Sequence, residues 1–245
     1  MTSVAVVVHR DAQLLASAVA ARLITRLVDV QAARGEASLV LTGGGVGTSV
    51  LAEVACSPAR DAVDWARVDV WWGDERYLPA GHAERNETSA RSALLDIVDL
   101  DQDRVHPMPA DDGTEPEQAA ERYAAALREA RQPGSRSPVP AFDVLLLGLG
   151  EDGHMASLFP GRPALEDERS VVAVHDAPKP PPTRLTLTLR AIQAAKEVWI
   201  VAAGEGKAPA ARLALGGAPL QQIPAAAVRG GKHTLWLLDQ AAAGR

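Results

Sequence analysis

The sequence has 245 residues, of which 47% are hydrophobic and 23% are charged, and its formal net charge is −6. A chain of this size can bury a globular core, and its acidic balance argues against a general nucleic-acid binder, which needs a basic surface. The single cysteine, Cys56, excludes an intrachain disulfide, and the lack of an apolar leader or a run of about 18 apolar residues predicts a cytoplasmic protein with no membrane contact.

Apolar runs alternate with alanine-rich amphipathic segments along the whole chain. The first run, 4–8, predicts a short buried strand, and Asp11 is the expected N-cap of a helix whose apolar residues recur every four positions from Leu15 to Leu27. Further strands are predicted at 38–42, 68–72, 142–149, 171–174, 185–189, 198–203 and 234–238. Further helices are predicted at 46–55, 86–95, 117–130 and 207–215, and 131–140 is expected to be a surface loop.

This alternation favours an α/β fold in a single domain over residues 1–245. We expect a Rossmann-like, mostly parallel open sheet with helices on both faces. The segment 142–149 is nearly all apolar, which is typical of a strand buried on both faces of a parallel sheet. Ligands bind such sheets outside the carboxyl ends of the strands. Three polar or glycine-rich motifs follow predicted strands, and they form the candidate site.

The first motif is glycine-rich and lies between a strand and a helix: Leu41-Thr42-Gly43-Gly44-Gly45-Val46-Gly47-Thr48. Glycines let the backbone approach an anion, and a helix start offers free N–H donors, so Gly43, Gly44 and Gly45 are candidate phosphate-binding residues. The dinucleotide-binding spacing fails at Thr48 and Val50, which disfavours a nucleotide-dependent oxidoreductase. A tight turn without a ligand explains the motif equally well when it is taken alone.

The second motif, Trp72-Gly73-Asp74-Glu75-Arg76, places two carboxylates and a guanidinium after a strand. Asp74 and Arg76 are candidate substrate-binding residues, since arginine matches phosphate with paired hydrogen bonds. A surface ion-pair cluster is the alternative. Arg184 follows a stiff proline segment and is a third candidate. Lys207 lies at a helix start, where an anion would relieve its conflict with the helix dipole, although taken alone it is better explained as an ordinary surface lysine.

The third motif, Gly148-Leu149-Gly150-Glu151-Asp152-Gly153-His154, follows the most apolar strand. Imidazole has an ordinary pKa of about 6.5, which suits a general base, so His154 is the candidate catalytic residue. Asp152 is placed to orient its ring or to hold a substrate hydroxyl. A solvated loop histidine is the alternative. The chain has no H-E-x-x-H motif, no cysteine pair and no G-x-S-x-G motif, so we predict no metal and no serine nucleophile.

Together these motifs resemble the 6-phosphogluconolactonase family. The resemblance covers nearly the whole chain and is most specific in the central block, which continues from His154 as Met155-Ala156-Ser157-Leu158-Phe159-Pro160-Gly161. Arg184-Leu185-Thr186-Leu187-Thr188 and Gly204-Glu205-Gly206-Lys207 complete it. Where relatives often place Ser or Thr after two glycines, this chain has Gly45, so the phosphate loses a hydroxyl donor unless Thr42 or Thr48 replaces it.

The resemblance implies a fold shared with glucosamine-6-phosphate deaminase and ribose-5-phosphate isomerase. It implies hydrolysis of a phosphorylated lactone with no cofactor, and we expect a monomer or weak homodimer. An isomerase or deaminase on this fold is the nearest alternative, but its expected catalytic glutamate is missing after Ala156. A non-catalytic sugar-phosphate sensor is a second alternative, against which Asp152 and His154 argue.

Overall fold

The computed structural model describes residues 3–132, 134–135 and 137–245. Its strands are β1 (Ser3–His9), β2 (Ala37–Leu41), β3 (Val68–Trp72), β4 (Asp74–Arg76), β5 (Val144–Gly148), β6 (Val171–Val174), β7 (Arg184–Leu187), β8 (Glu197–Ala202) and β9 (His233–Asp239). Its α-helices are α1 (Ala12–Arg34), α2 (Gly44–Cys56), α3 (Asn86–Ala90), α4 (Pro116–Glu129), α5 (Leu189–Gln193) and α6 (Ala208–Leu215). A π-helical turn, Arg91–Leu95, continues α3.

Six strands form the main sheet, in the order β1-β9-β8-β5-β2-β3. Every neighbouring pair in this sheet is parallel, which confirms the predicted mostly parallel open sheet. The central strand β5 is buried except for its final residue, Gly148, as the uniformly apolar sequence predicts.

The strand order changes direction at the neighbouring strands β2 and β5. From β2 the chain continues to β3 on one side, whereas from β5 it continues to β8 on the other. Because crossovers between parallel strands are right-handed, connections that progress in opposite directions run over opposite faces. The loops after β2 and β5 therefore diverge and leave a crevice at the carboxyl edge, which is where open α/β sheets bind ligands.

A second, antiparallel sheet has the order β4-β7-β6, and its separate existence was not predicted. Residues 74–76 were predicted only to follow a strand, but they form β4, whose three residues are too few to show a strand periodicity. The register places Asp74 opposite Thr186 and Arg76 opposite Arg184. This small sheet thereby brings two charged candidate residues from distant parts of the chain side by side.

Helix α1 begins as predicted, because the Asp11 side chain accepts a hydrogen bond of 2.8 Å from the Leu14 N–H. Its predicted apolar face, Leu15, Val19, Leu23 and Leu27, is buried. None of the helices in the described part of the chain is long and apolar enough to cross a membrane.

Two local predictions are wrong. The strand at 4–8 was expected to be buried, but β1 is a sheet edge that pairs only with β9, and Val4 and Val6 are each 47% exposed. The strand expected at 185–189 ends at Leu187, since the Thr188 hydroxyl accepts from the Ala191 N–H and caps α5 instead.

Candidate active site

A cavity of about 380 Å³ opens at the carboxyl ends of the neighbouring strands β8, β5, β2 and β3. The candidate residues that line it are Gly43, Gly44, Gly45, Asp74, Arg76, His154, Arg184 and Lys207. Asp152, the remaining candidate, reaches the cavity through its contact with His154. The sheet order explains this gathering, because the motifs follow adjacent strands.

His154 and Asp152 form an imidazole–carboxylate pair. The His154 Nδ1 lies 2.5 Å from the Asp152 Oδ1, and the same oxygen accepts from the His154 N–H at 3.2 Å. Burial raises the pKa of Asp152, but hydrogen bonding and charge from His154 outweigh that effect and lower the pKa to about 2. With Nδ1 donating to a carboxylate, Nε2 is left as a proton acceptor.

The pair leaves no room for a side chain at Gly150. A Cβ atom there would overlap the His154 Nδ1 and the Asp152 Oδ1. The Gly150 N–H donates to the His154 carbonyl at 2.8 Å, which closes the loop beneath the imidazole. The glycine therefore sets the position of the pair as well as the turn.

The glycine-rich motif forms the start of α2, with Gly43 as N-cap. Gly44 has a φ of +82°, a left-handed conformation that glycine adopts without strain. A Cβ atom on Gly43 would overlap the Asn86 amide. Because the first N–H groups of a helix lack partners within it, this wall of the cavity offers hydrogen-bond donors to an anion.

Of the two hydroxyls proposed to replace the one missing at Gly45, Thr42 lines the cavity and Thr48 does not. The Thr42 Oγ1 accepts from the Gly148 N–H at 3.1 Å, so its own proton remains available to a ligand. This bond also joins the ends of β2 and β5 beside the crevice.

Arg76 and Arg184 donate to backbone carbonyls and form no ion pair with a carboxylate of the described residues. The Arg76 Nη1 donates to the Glu84 carbonyl at 2.5 Å, and its Nε is buried without a described partner. Arg184 is 6% exposed, and desolvation by this burial lowers its pKa. Carbonyls hold these guanidinium groups in place without neutralising them.

Lys207 ends a 3-10 turn just before α6, and its Nζ lies 3.8 Å from the Glu151 Oε1. Glu151 is 64% exposed, so water screens this pair strongly. The lysine thus keeps most of its attraction for an anion in the cavity.

Asp74 and Glu75 are neighbours in β4 but have different surroundings. Asp74 lines the cavity, and its Oδ2 accepts from the buried Ser157 hydroxyl at 2.7 Å. Glu75 is fully buried and accepts the N–H groups of Arg76, Asn86 and Glu87. Desolvation raises the pKa of Glu75, although these bonds and the nearby Arg85 act in the opposite direction. Glu75 therefore organises the backbone below the site.

Sequence reasoning missed two polar side chains that line the cavity, Asn86 and Lys179. Asn86 is 4% exposed, and its Nδ2 donates to the Asp74 carbonyl at 2.9 Å. In the sequence it marks only the start of the helix predicted at 86–95. Lys179 belongs to the proline segment that precedes Arg184. The stiffness of this segment was predicted, but Lys179 was not among the predicted site residues.

Among the described residues, no group of three or more His, Cys, Asp and Glu side chains is arranged to hold a metal ion. The cavity itself presents an imidazole–carboxylate pair, cationic side chains and a glycine-lined helix start.

The fold and site define an α/β protein in which an imidazole–carboxylate pair and a glycine-lined helix start share one cavity at the carboxyl edge of the sheet. The family model for glucosamine-6-phosphate isomerases/6-phosphogluconolactonase matches residues 10–236, and the chain belongs to this family.

Among its relatives, the Streptomyces coelicolor protein named 6-phosphogluconolactonase is 59% identical over 241 residues, covering 97% of this chain and 92% of the relative. The protein of the same name from Mycobacterium tuberculosis is 47% identical over 239 residues, covering 96% and 95% of the two chains.

Solved structures agree with these matches. The 6-phosphogluconolactonase of Trypanosoma brucei superposes with a TM-score of 0.85 at 27% identity, covering 100% of this chain and 99% of that one. A monomeric glucosamine-6-phosphate deaminase superposes with a TM-score of 0.80 at 20% identity, covering 98% and 99%, and this likeness concerns the fold alone.

Proposed function

We propose that this chain hydrolyses 6-phospho-D-glucono-1,5-lactone to 6-phospho-D-gluconate, the second step of the oxidative pentose phosphate pathway. The names of relatives that match almost its full length support a lactone hydrolase. The observation that carries the proposal is the Asp152–His154 pair, which meets a glycine-lined helix start and several cations in one cavity.

The 6-phosphate binds the amides of Gly43, Gly44 and Gly45, with Arg76, Arg184 and Lys207 supplying positive charge. Hydrogen bonds to charged groups contribute about 1.5–3 kcal/mol each, so a few of them hold the substrate firmly. Asp74, whose Oδ2 is already bound by Ser157, offers Oδ1 to a sugar hydroxyl. Anchoring at the phosphate fixes the lactone carbonyl near His154.

The His154 Nε2 removes a proton from water as the water oxygen bonds to C1. The tetrahedral intermediate then collapses, the bond between C1 and the ring oxygen breaks, and the imidazolium returns its proton to that oxygen. Asp152 holds the ring and stabilises the imidazolium. Water, the lactone and these side chains balance the reaction, so no cofactor is required.

The central block lacks the carboxylate that an isomerase or deaminase would need after Ala156. Ser157 is fully buried and donates to Asp74, and the residues that follow it are Leu158, Phe159 and Pro160. This segment therefore supplies no acid–base group beside His154. We also propose that residues 1–245 act as one cytoplasmic domain, as a monomer or weak homodimer.

The test follows the phosphorylated lactone, generated in situ, with spontaneous hydrolysis subtracted. Wild type should accelerate ring opening, and His154→Ala should lose turnover by about 10²–10⁴-fold while still binding 6-phosphogluconate. His233→Ala is the matched control, because that histidine lies at the amino end of β9 beside Ser3.

Three outcomes would contradict parts of the proposal. Full turnover by His154→Ala would remove the base assignment, and an unchanged KM in Arg76→Ala would remove that residue from the phosphate site. If wild type does not exceed background hydrolysis, the lactonase proposal fails, and deamination of glucosamine 6-phosphate becomes the reaction to measure.

A further inference from the structure

The proposed lactonase mechanism has not yet assigned a residue to stabilise the negative charge that forms on the carbonyl oxygen. When water adds to C1, the carbonyl oxygen becomes an oxyanion, and enzymes that open esters stabilise it with preorganised donors or charges. His154 holds the proton in that state and is already paired with Asp152. The group that meets the oxyanion must therefore come from elsewhere in the cavity.

Among the described residues, four lysines and arginines line the cavity, and three of them have other contacts. The Arg184 Nε and Nη2 donate to carbonyls, the Arg76 Nη1 donates to the Glu84 carbonyl, and the Lys207 Nζ faces Glu151. The fourth, Lys179, is exposed and forms no side-chain hydrogen bond or ion pair with a described residue. Its ammonium is the cation most available to a reacting oxygen.

We infer that Lys179 is a further catalytic residue, whose ammonium binds the carbonyl oxygen of the lactone and stabilises the oxyanion formed at C1. The inference rests on the proposed lactonase function. Lys179 lines the same cavity as His154, and it is close enough to Asp152 for its charge to favour that carboxylate. Lys179 thus lies toward the catalytic pair.

The segment that carries Lys179 is held in a defined conformation. The buried Arg184 donates to the carbonyls of Lys179 at 2.8 Å, Pro180 at 3.0 Å and Pro181 at 3.2 Å. The Ala177 N–H also donates to the Pro182 carbonyl at 2.9 Å, which closes the turn. Proline fixes φ, so little backbone freedom remains around the lysine.

This arrangement separates two roles of Arg184 and Lys179. Arg184 contacts the backbone of the segment, so replacing the Lys179 side chain leaves those three bonds in place. The backbone is preorganised before substrate arrives, and the long side chain alone must adjust to reach the oxygen. A substitution of Lys179 therefore tests its charge with little disturbance of the fold.

The first measurement compares steady-state hydrolysis by wild type, Lys179→Met and Lys179→Arg. We expect kcat of Lys179→Met to fall by about 10²-fold, the lower end of the range for losing one oxyanion donor, because the exposed ammonium is partly screened by water. Lys179→Arg should recover part of the loss. Lys232→Met, an exposed lysine away from the cavity, is the control and should retain wild-type kinetics.

The second measurement separates the carbonyl from the phosphate by calorimetric binding of two ligands. 6-Phosphogluconate carries a C1 carboxylate, whereas glucitol 6-phosphate has the phosphate and no carboxylate. Lys179→Met should weaken binding of the first and leave the second unchanged. Equal weakening of both would assign Lys179 to the phosphate and overturn the inference.

Failure of the inference and failure of the proposed function give different results. An active wild type with an equally active Lys179→Met overturns the role of Lys179 and leaves the lactonase proposal intact. A wild type that does not exceed background hydrolysis removes the reaction itself, and the inference with it.

Discussion

Positive side chains at the two ends of the six-stranded sheet have different kinds of partner. At the amino end, the buried Asp143 binds Arg34 at 2.5 Å, Lys196 at 2.9 Å and the Ser38 N–H at 2.9 Å. At the carboxyl end, Arg76 and Arg184 bind backbone carbonyls. At the amino end, a carboxylate compensates the positive charges within the fold. At the carboxyl end, the two arginines have no such carboxylate and lie beside a cavity.

This difference indicates that the amino end of the sheet contributes to folding stability, whereas the carboxyl end is available for the proposed function. A buried carboxylate with every oxygen bonded contributes to the folded state, and removing it leaves cations and an amide without their partner. Cations held by carbonyls stay attractive to an anion, and their mutual repulsion is relieved when a phosphate arrives. Substitutions at the two ends should therefore separate folding from catalysis.

The largest effect is expected at the carboxyl end, in Asp152→Asn. We expect kcat to fall by about 10²–10⁴-fold, since the ring loses its orienting acceptor. With its pKa lowered to about 2, Asp152 stays ionised at neutral pH, so the substitution removes a negative charge from beside the ring. The loss should appear in kcat more than in KM, because the anion stabilises the imidazolium that forms during the reaction.

Steady-state kinetics of wild type and Asp152→Asn at neutral pH, measured side by side, test that effect. An unchanged kcat would show that Asp152 does not act on the imidazole. Asp64→Asn, which changes an exposed surface carboxylate, should reproduce the wild-type kcat.

Gly150→Ala should lower kcat by about 10²-fold, the cost of displacing a catalytic group by roughly 1 Å. Its Cβ would overlap both members of the pair, which are side chains that can move away, so the fold should survive. Gly231→Ala is the control, because its Cβ would lie 3.4 Å from the Ala195 carbonyl, an ordinary contact. Wild-type turnover in Gly150→Ala would show that the pair needs no close packing.

At the amino end, Asp143→Ala should reduce the free energy of unfolding by about 3 kcal/mol and leave kcat/KM unchanged. Arg34 and Lys196 would lose their shared carboxylate, and the Ser38 N–H its acceptor. Urea unfolding measures the loss. The control is Asp64→Ala, since its exposed pair with Arg67 contributes at most about 1 kcal/mol. A large loss of turnover in folded Asp143→Ala would contradict the separation of the two ends.

The smallest effect concerns the ion pair at the carboxyl end. Glu151→Ala removes the carboxylate 3.8 Å from Lys207 and should lower KM for the phosphorylated lactone by about two- to fivefold, because an exposed pair is worth up to about 1 kcal/mol. Steady-state kinetics at low ionic strength measures it. A raised KM would mean that Glu151 positions Lys207 for the phosphate instead of competing with it.

The strands that support the site were largely predictable, because β3 and β6 have the predicted bounds and β2, β5, β8 and β9 differ by one or two residues. Alternating apolar runs are local signals that survive packing. The exposure of β1 was not predictable, since its apolar sequence does not show whether one neighbouring strand or two will pair with it.

The site was predictable where its residues follow strands in the sequence, and less so elsewhere. His154 and Gly43 lie in strand-end loops, so the sheet alone brings them together. Asn86 and Lys179 reach the cavity through contacts with Asp74 and Arg184, which involve distant backbone atoms. Such pairings depend on the register of the small sheet, which leaves no periodic trace in three- or four-residue strands.

By itself, the sequence determined the parallel α/β class, the order of the motifs and the candidate residues for acid–base chemistry, because these depend on local periodicity and residue type. The tertiary structure alone decided that Arg76 lies opposite Arg184, that Glu75 turns away from Asp74, and that carbonyls hold Arg184 beneath Lys179. Those outcomes depend on which distant backbone groups meet during packing, and hydrogen-bond geometry between them is settled only once both sheets have formed.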